Sequence, residues 1–412
     1  MTGDRLLRGV RWLQPHLDRE ARADVRLSNG AIAEWGEAGS LRSGPEPEQD
    51  GSPLVLGPAL TDLYSRSGEP GQETRERIAE TVTCARAGGF GRLQLLPRTQ
   101  PVLDDSDRLL ALRQRFPHAG LDWWAAYSPG TDGDGLTELV ELAEAGALGF
   151  GEGGPLPSLS LVRRLLEYAQ PLGLPLLFWP RHPQLAGSGT ARPGALALQL
   201  GLPQDPYASE TQPLAGLLEL LAEFPTPVHL MRISTARSVE LISAARQRGL
   251  PVTASTPWLH LIASTADLGG YDPNLRLSPP LGNPEDRQAL RQAVRDGVLD
   301  AIAVDHVAYR YEEKTVAFGE APSGALGYPF ALSCLWESLV IQQGWQPLEL
   351  WRALSVGPER CLQPRLQAHP SDWILFDPEQ TWTVEGAHLP TPARNTHLLG
   401  RSLRGQVIAR TS

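Results

Sequence analysis

Residues 57–71 read Gly-Pro-Ala-Leu-Thr-Asp-Leu-Tyr-Ser-Arg-Ser-Gly-Glu-Pro-Gly. The run 54–60 leads into a strand, and alternate side chains of a strand share a face, so Asp62, Tyr64 and Arg66 point the same way. A carboxylate, a phenol and a guanidinium are thereby set side by side. A phenol is a poor ligand for a metal cation at neutral pH, and a guanidinium repels one.

Downstream, strand-like runs at 93–96, 174–178, 228–231 and 251–256 follow amphipathic helix-like runs at 74–87, 159–170, 214–223 and 236–248. Strand and helix in steady alternation argue for parallel strands joined by crossover helices. In a barrel of that kind the chemistry gathers at the C-terminal ends of the strands. Both flanks read differently. Runs at 6–12, 23–27 and 30–35, the last after an Asn29-Gly30 turn signal, describe a small β-sheet. A loop rich in Gly, Pro, Ser and Glu covers 36–53, and 373–378 and 405–409 return to strand and turn.

A chain of 412 residues is long enough for one large α/β barrel and a smaller appendage. Its 41% hydrophobic and 20% charged residues are globular values, and no apolar run is long enough for a membrane span. The first twenty residues carry charges of both signs without the form of a secretory signal, so a cytoplasmic location is expected. Cys84, Cys334 and Cys361 are isolated and odd in number, against a disulfide framework or a Cys-x-x-Cys metal motif. A net charge of -10 argues against a nucleic-acid surface and leaves proteins or small molecules as partners. Lys314 is the only lysine.

The stretch at 57–71 resembles the first barrel strand of the dihydroorotase family, which ends in Asp-x-His-x-His-x-Arg. The likeness continues in order along nearly the whole chain. It includes Leu96-Pro97-Arg98-Thr99-Gln100-Pro101, Ile233-Ser234-Thr235-Ala236, Ser278-Pro279-Pro280-Leu281, Ala303-Val304-Asp305-His306, Glu312-Glu313-Lys314 and Glu320-Ala321-Pro322-Ser323-Gly324. It implies a TIM-type (β/α)8 barrel of the amidohydrolase superfamily over 58–360. The flanks 1–57 and 361–412 would pair into one composite β-sandwich domain.

The resemblance also says what each site position ought to hold. Tyr64 and Arg66 stand at the two zinc-binding histidines and Gly68 at the arginine. Gly149-Phe150-Gly151 stands where Gly-Phe-Lys supplies a carboxylated lysine, with Glu152 next to it as an acidic substitute. Trp179 and Arg232 stand at two further metal ligands, while His182 lies three residues out of phase. Asp305 keeps the position of the general acid/base. A salt bridge from Asp305 to Arg66 or Arg232 would fill the space of the lost metal. Substrate contacts correspond to Gly68, Arg98 and Gly282. His229 is read as packed inside a strand and His260 as structural; His16, His118, His369, His388 and His397 fall in terminal, loop or helix-end settings.

No metal or other cofactor is therefore expected. The resemblance points to a non-catalytic dihydroorotase homologue acting as a structural or regulatory partner of the aspartate transcarbamoylase catalytic subunit in de novo pyrimidine synthesis. Assembly with further copies of the chain is left open. Two alternatives stand beside this reading. One is an active cyclic amidohydrolase, converting carbamoyl aspartate to dihydroorotate either with zinc on Asp305 and Glu152 or without metal through Asp305, Tyr64 and Arg66. The other is a sensor in which Arg66, Arg98 and Arg232 hold a small acidic pyrimidine precursor.

Overall fold

The structure, a computed structural model, describes residues 4–117, 120–362 and 372–411, so His118 and His369 lie outside the described residues. Near the N-terminus β1 (Arg5–Gln14), β2 (Arg19–Ser28) and β3 (Ala31–Glu37) form an antiparallel meander. The β2–β3 hairpin turns at Asn29 and Gly30, with φ of 50° and 75°, as an Asn-Gly turn requires. Within the expected loop, β4 (Glu48–Asp50) pairs parallel to β1, and so does β5 (Val55–Pro58) just after it.

Eight parallel strands follow: β6 (Leu60–Ser65), β7 (Phe90–Leu95), β8 (Leu121–Trp123), β9 (Phe150–Pro155), β10 (Leu176–Trp179), β11 (Val228–Leu230), β12 (Val252–Pro257) and β13 (Ala301–Ala303). They pair in sequence order as β6 to β8 and β9 to β13. A parallel bridge from Ala125 to Phe150 joins the two runs, and the Arg66 N–H donates to the His306 carbonyl at 2.9 Å to close the ring. All six residues of β6 are buried, the pattern of a parallel strand covered on both faces.

The helix expected at 74–87 begins later, as Ile78–Ala87. Glu80 accepts the Arg77 N–H at 2.7 Å at its start, and Glu76 just upstream is drawn into the core by His306. The helix expected from 214 instead begins earlier, as Ala208–Glu223, and runs through Pro213. That early start puts Glu210 at the barrel mouth.

The chain ends in β14 (Trp373–Thr383) and β15 (Ser402–Arg410). β14 pairs antiparallel to β5, with Trp373 opposite Pro58, so both ends of the chain share one seven-stranded sheet. Leu7, Val25, Leu56, Trp373 and Leu375 belong to its own hydrophobic cluster. No helix among the described residues is long and apolar enough to cross a membrane.

Candidate functional site

Arg232 follows β11 and Asp305 follows β13, which brings both to the C-terminal mouth of the barrel. Both take left-handed backbone, with φ of 58° and 48°. Non-glycine residues enter that region at a cost, and such strain collects where a site is being shaped. The two side chains form a bidentate pair: Nε reaches Oδ2 at 2.8 Å and Nη2 reaches Oδ1 at 2.6 Å. Nη1 donates to the Gly153 carbonyl at 2.8 Å, and the guanidinium lies 4.8 Å from the Trp179 ring centroid. Burial pulls the Arg232 pKa down, but Asp305 more than restores it and holds it above the usual value. Of the two guanidiniums expected to compete for Asp305, Arg232 takes it.

Behind this pair the barrel interior is a chain of neutral hydrogen bonds. The Tyr64 hydroxyl accepts the Arg232 backbone N–H at 3.0 Å and lies 3.1 Å from the Ser255 hydroxyl. Burial raises the Tyr64 pKa, so the phenol keeps its proton at neutral pH. His229 spends both ring nitrogens on Thr253 and Ser255, at 2.9 and 2.8 Å. Burial brings its pKa down to about 3, which makes it the packed histidine expected of its position.

Asp62 faces a different set of groups. It accepts the Val304 N–H at 2.7 Å, the Ser65 hydroxyl at 2.6 Å and the Tyr328 hydroxyl at 2.8 Å, and burial pushes its pKa up to about 6. His306 stacks on Tyr328, and its Nε2 lies 2.9 Å from Glu76. The Gly327 N–H donates to His306 Nδ1, so the ring proton sits on Nε2 and points at the carboxylate.

Several positions are closed by packing. A Cβ on Gly151 would lie 2.4 Å from the Leu177 Cβ, so Leu177 already fills the space of a longer side chain there. At Gly68 a Cβ would meet the Glu76 and Gln72 carbonyls at 2.5 and 2.6 Å, and at Gly282 it would meet the Asp286 Cβ at 2.6 Å. An arginine fits neither without backbone movement. Glu152 is turned away toward Ser128, whose N–H and hydroxyl it accepts at 2.8 and 2.7 Å, and burial raises its pKa. The fallback pair for a metal ion, Asp305 and Glu152, is thus divided between unrelated partners. The metal-free set is divided too, because Asp305 bonds to Arg232 rather than to Tyr64 or Arg66.

Arg98 is exposed beside Gly154 and does not join Arg66 and Arg232 in lining the mouth. His182 caps a short helix by accepting the Leu185 N–H, and His16 lies 3.5 Å from Glu359. The residues that line the mouth enclose a cavity of about 100 Å³. A larger cavity of about 410 Å³ lies far from the strand ends, between Pro329 and Trp382, and holds none of this chemistry.

Sequence reasoning missed a second charged group at the mouth. Arg192, Asp205 and Glu210 are 0%, 0% and 2% exposed; Arg192 bonds to Glu210 at 2.8 Å and lies 3.4 Å from Asp205, which also binds Arg181 at 2.8 Å. The signal was present as four charges crowded into 181–210, but no spacing rule links residues that meet through a loop.

The donors at the mouth do not fit a zinc ion. The positions hold a protonated phenol, a glycine, a tryptophan and two guanidiniums, and the remaining carboxylate is already neutralised. No group of three or more His, Cys, Asp or Glu among the described residues could hold a metal.

Over 97% of its length the chain is 44% identical to a probable dihydroorotase-like protein of Synechocystis sp., covering 98% of that protein. It is 34% identical to a dihydroorotase of Anaeromyxobacter dehalogenans and 30% identical to one of Geobacter metallireducens, covering 97% of this chain in each case and 94% and 96% of theirs. Among solved structures, an L-hydantoinase from Arthrobacter aurescens matches with a TM-score of 0.82 at 18% identity, covering 100% of this chain and 97% of that one. A dihydropyrimidinase from Brevibacillus agri gives a TM-score of 0.79 at 17% identity, covering 100% and 94%. At such identities the likeness is one of fold. No family model matches the chain.

Proposed function

The chain belongs to the dihydroorotase family, and from that premise we propose that it is a non-catalytic member, serving as a structural or regulatory partner of aspartate transcarbamoylase in de novo pyrimidine synthesis. The observation that carries this reading is the bidentate Arg232–Asp305 pair at the strand ends. A general base must accept a proton from water in reach of its substrate. Here both oxygens of Asp305 are committed to a guanidinium. A metal electrophile would need ligands where Arg66 and Arg232 stand, and its charge would be set against theirs.

Substrate recognition points the same way. The two glycines at the arginine positions, Gly68 and Gly282, have no room for any side chain. Loss of chemistry with retention of the whole barrel and composite sheet favours a role for the surface over one for the site. The partner is tested by co-purification from cell extract with the full chain as bait. Stable co-elution with the transcarbamoylase catalytic subunit supports the proposal; repeated recovery of the chain without it would sink the partnership.

A further inference from the structure

Arg66 is the arginine of the mouth that Asp305 does not pair with. It lines the same cavity as Arg232 and Asp305, its Nε is buried without a hydrogen-bond partner, and no ion pair of its guanidinium occurs among the described residues. Arg232 and Asp305 cancel each other, so Arg66 leaves the cavity one positive charge in excess. Burial and the neighbouring Arg232 lower the Arg66 pKa to about 10, which still leaves it charged at neutral pH. Arg66 is half-buried, and a charge partly withdrawn from water without a hydrogen-bonded counter-charge favours an anion beside it.

A second group at the same cavity narrows the choice. His260 is 3% exposed, and its Nε2 lies 3.2 Å from the Pro279 carbonyl, which can only accept. Nε2 therefore carries the ring proton, and in the neutral ring Nδ1 is an acceptor. Nδ1 is buried and without a partner. Two side chains that line the cavity thus hold a guanidinium without an ion pair and an imidazole lone pair without a donor. The cavity volume of about 100 Å³ is well below the roughly 300–1,000 Å³ of ordinary ligand pockets.

We propose that the barrel mouth binds a small monoanion carrying its own hydrogen-bond donor, of the size of hydrogen carbonate, with Arg66 as its counter-charge and His260 Nδ1 accepting its proton donor. This inference stands apart from the proposed partnership, because it depends on Arg66 and His260 whatever the chain assembles with. It also narrows the sensor alternative. Arg98 is outside the cavity, and Arg232 is already paired.

The test is calorimetric titration of the full chain at neutral pH with sodium hydrogen carbonate and, separately, with sodium formate, which has similar size and charge but no such donor. Saturable one-site binding of hydrogen carbonate is expected, with formate weaker by about tenfold, the worth of one hydrogen bond. Arg66→Gln should abolish binding of both, and His260→Phe should erase the preference between them. Thermal unfolding in anion-free buffer guards against a folding defect, since Arg66→Gln removes an uncompensated charge and should not lower the midpoint. Absence of saturable binding of either anion to the wild type, or undiminished binding to a folded Arg66→Gln, would overturn the proposal.

Discussion

At the scale of single residues, the account turns on Arg232 answering Asp305. Truncating Arg232 to Met strands a carboxylate that is only 14% exposed and frees the Gly153 carbonyl. Breaking such a pair costs about 3–5 kcal/mol, and removing the second charge returns part of it. Urea unfolding should show Arg232→Met strongly destabilised and Arg232→Met/Asp305→Asn closer to wild type. Asn suits this test because it tolerates the positive φ at 305. A double variant no more stable than the single one would show that the charges are not coupled. The two partners were legible in the sequence because both stand at strand ends. The choice of Arg232 over Arg66 was not. It is made by left-handed backbone at 232 and 305, which neither residue type announces. Nor could the sequence reveal that Leu177 fills the space at Gly151 or that Ser128 captures Glu152.

Among the elements, β6, β11 and β12 are tied together inside the barrel by Tyr64, Ser255 and His229. Tyr64→Phe removes the acceptor of the Arg232 N–H, and leaving a buried donor unpaired costs about 1–3 kcal/mol. Unfolding in urea should read that loss without a change in the slope of the transition. The neutrality of His229 gives a pH dependence whose sign is fixed. Its folded pKa of about 3 lies below the ordinary 6.5, so between these values the unfolded chain binds the extra proton. The stability this contributes is complete above pH 6.5 and falls by about 1.4 kcal/mol per pH unit as the solution is acidified toward 3. In His229→Gln the slope of stability against pH should be shallower by that amount, whatever its absolute stability. An unchanged slope would mean that the ring is already protonated in the fold. The barrel strands themselves were readable from apolar runs between turn signals. Helix starts were less so, because Glu76 and Glu210 turn to buried partners, His306 and Arg192, that no local spacing links to them.

For the molecule as a whole, alternating strands and helices argued for parallel strands with crossover helices, while the closed barrel and the pairing of the two β-rich flanks were anticipated from the family resemblance. The buried network of Arg181, Arg192, Asp205 and Glu210 was not anticipated, since its members meet through the long connection between β10 and β11, which no spacing rule describes. It has a consequence for stability: Arg192→Met leaves two buried carboxylates short of a partner and should cost about 3–5 kcal/mol or prevent folding. Zinc provides the global check on the mouth. A ligand that binds the native state raises the unfolding midpoint, and the stabilisation grows with the logarithm of its concentration above Kd. Equilibration with zinc should leave the midpoint of this protein unchanged, and a rise that grows with zinc concentration would contradict the reading of the donor set. The claim at the centre is that the family's chemistry has been replaced by an ion pair. Its most direct test is an assay of the full chain, supplied with zinc, for interconversion of carbamoyl aspartate and dihydroorotate. The account predicts the rate of enzyme-free buffer; turnover that disappears in Asp305→Asn would contradict it.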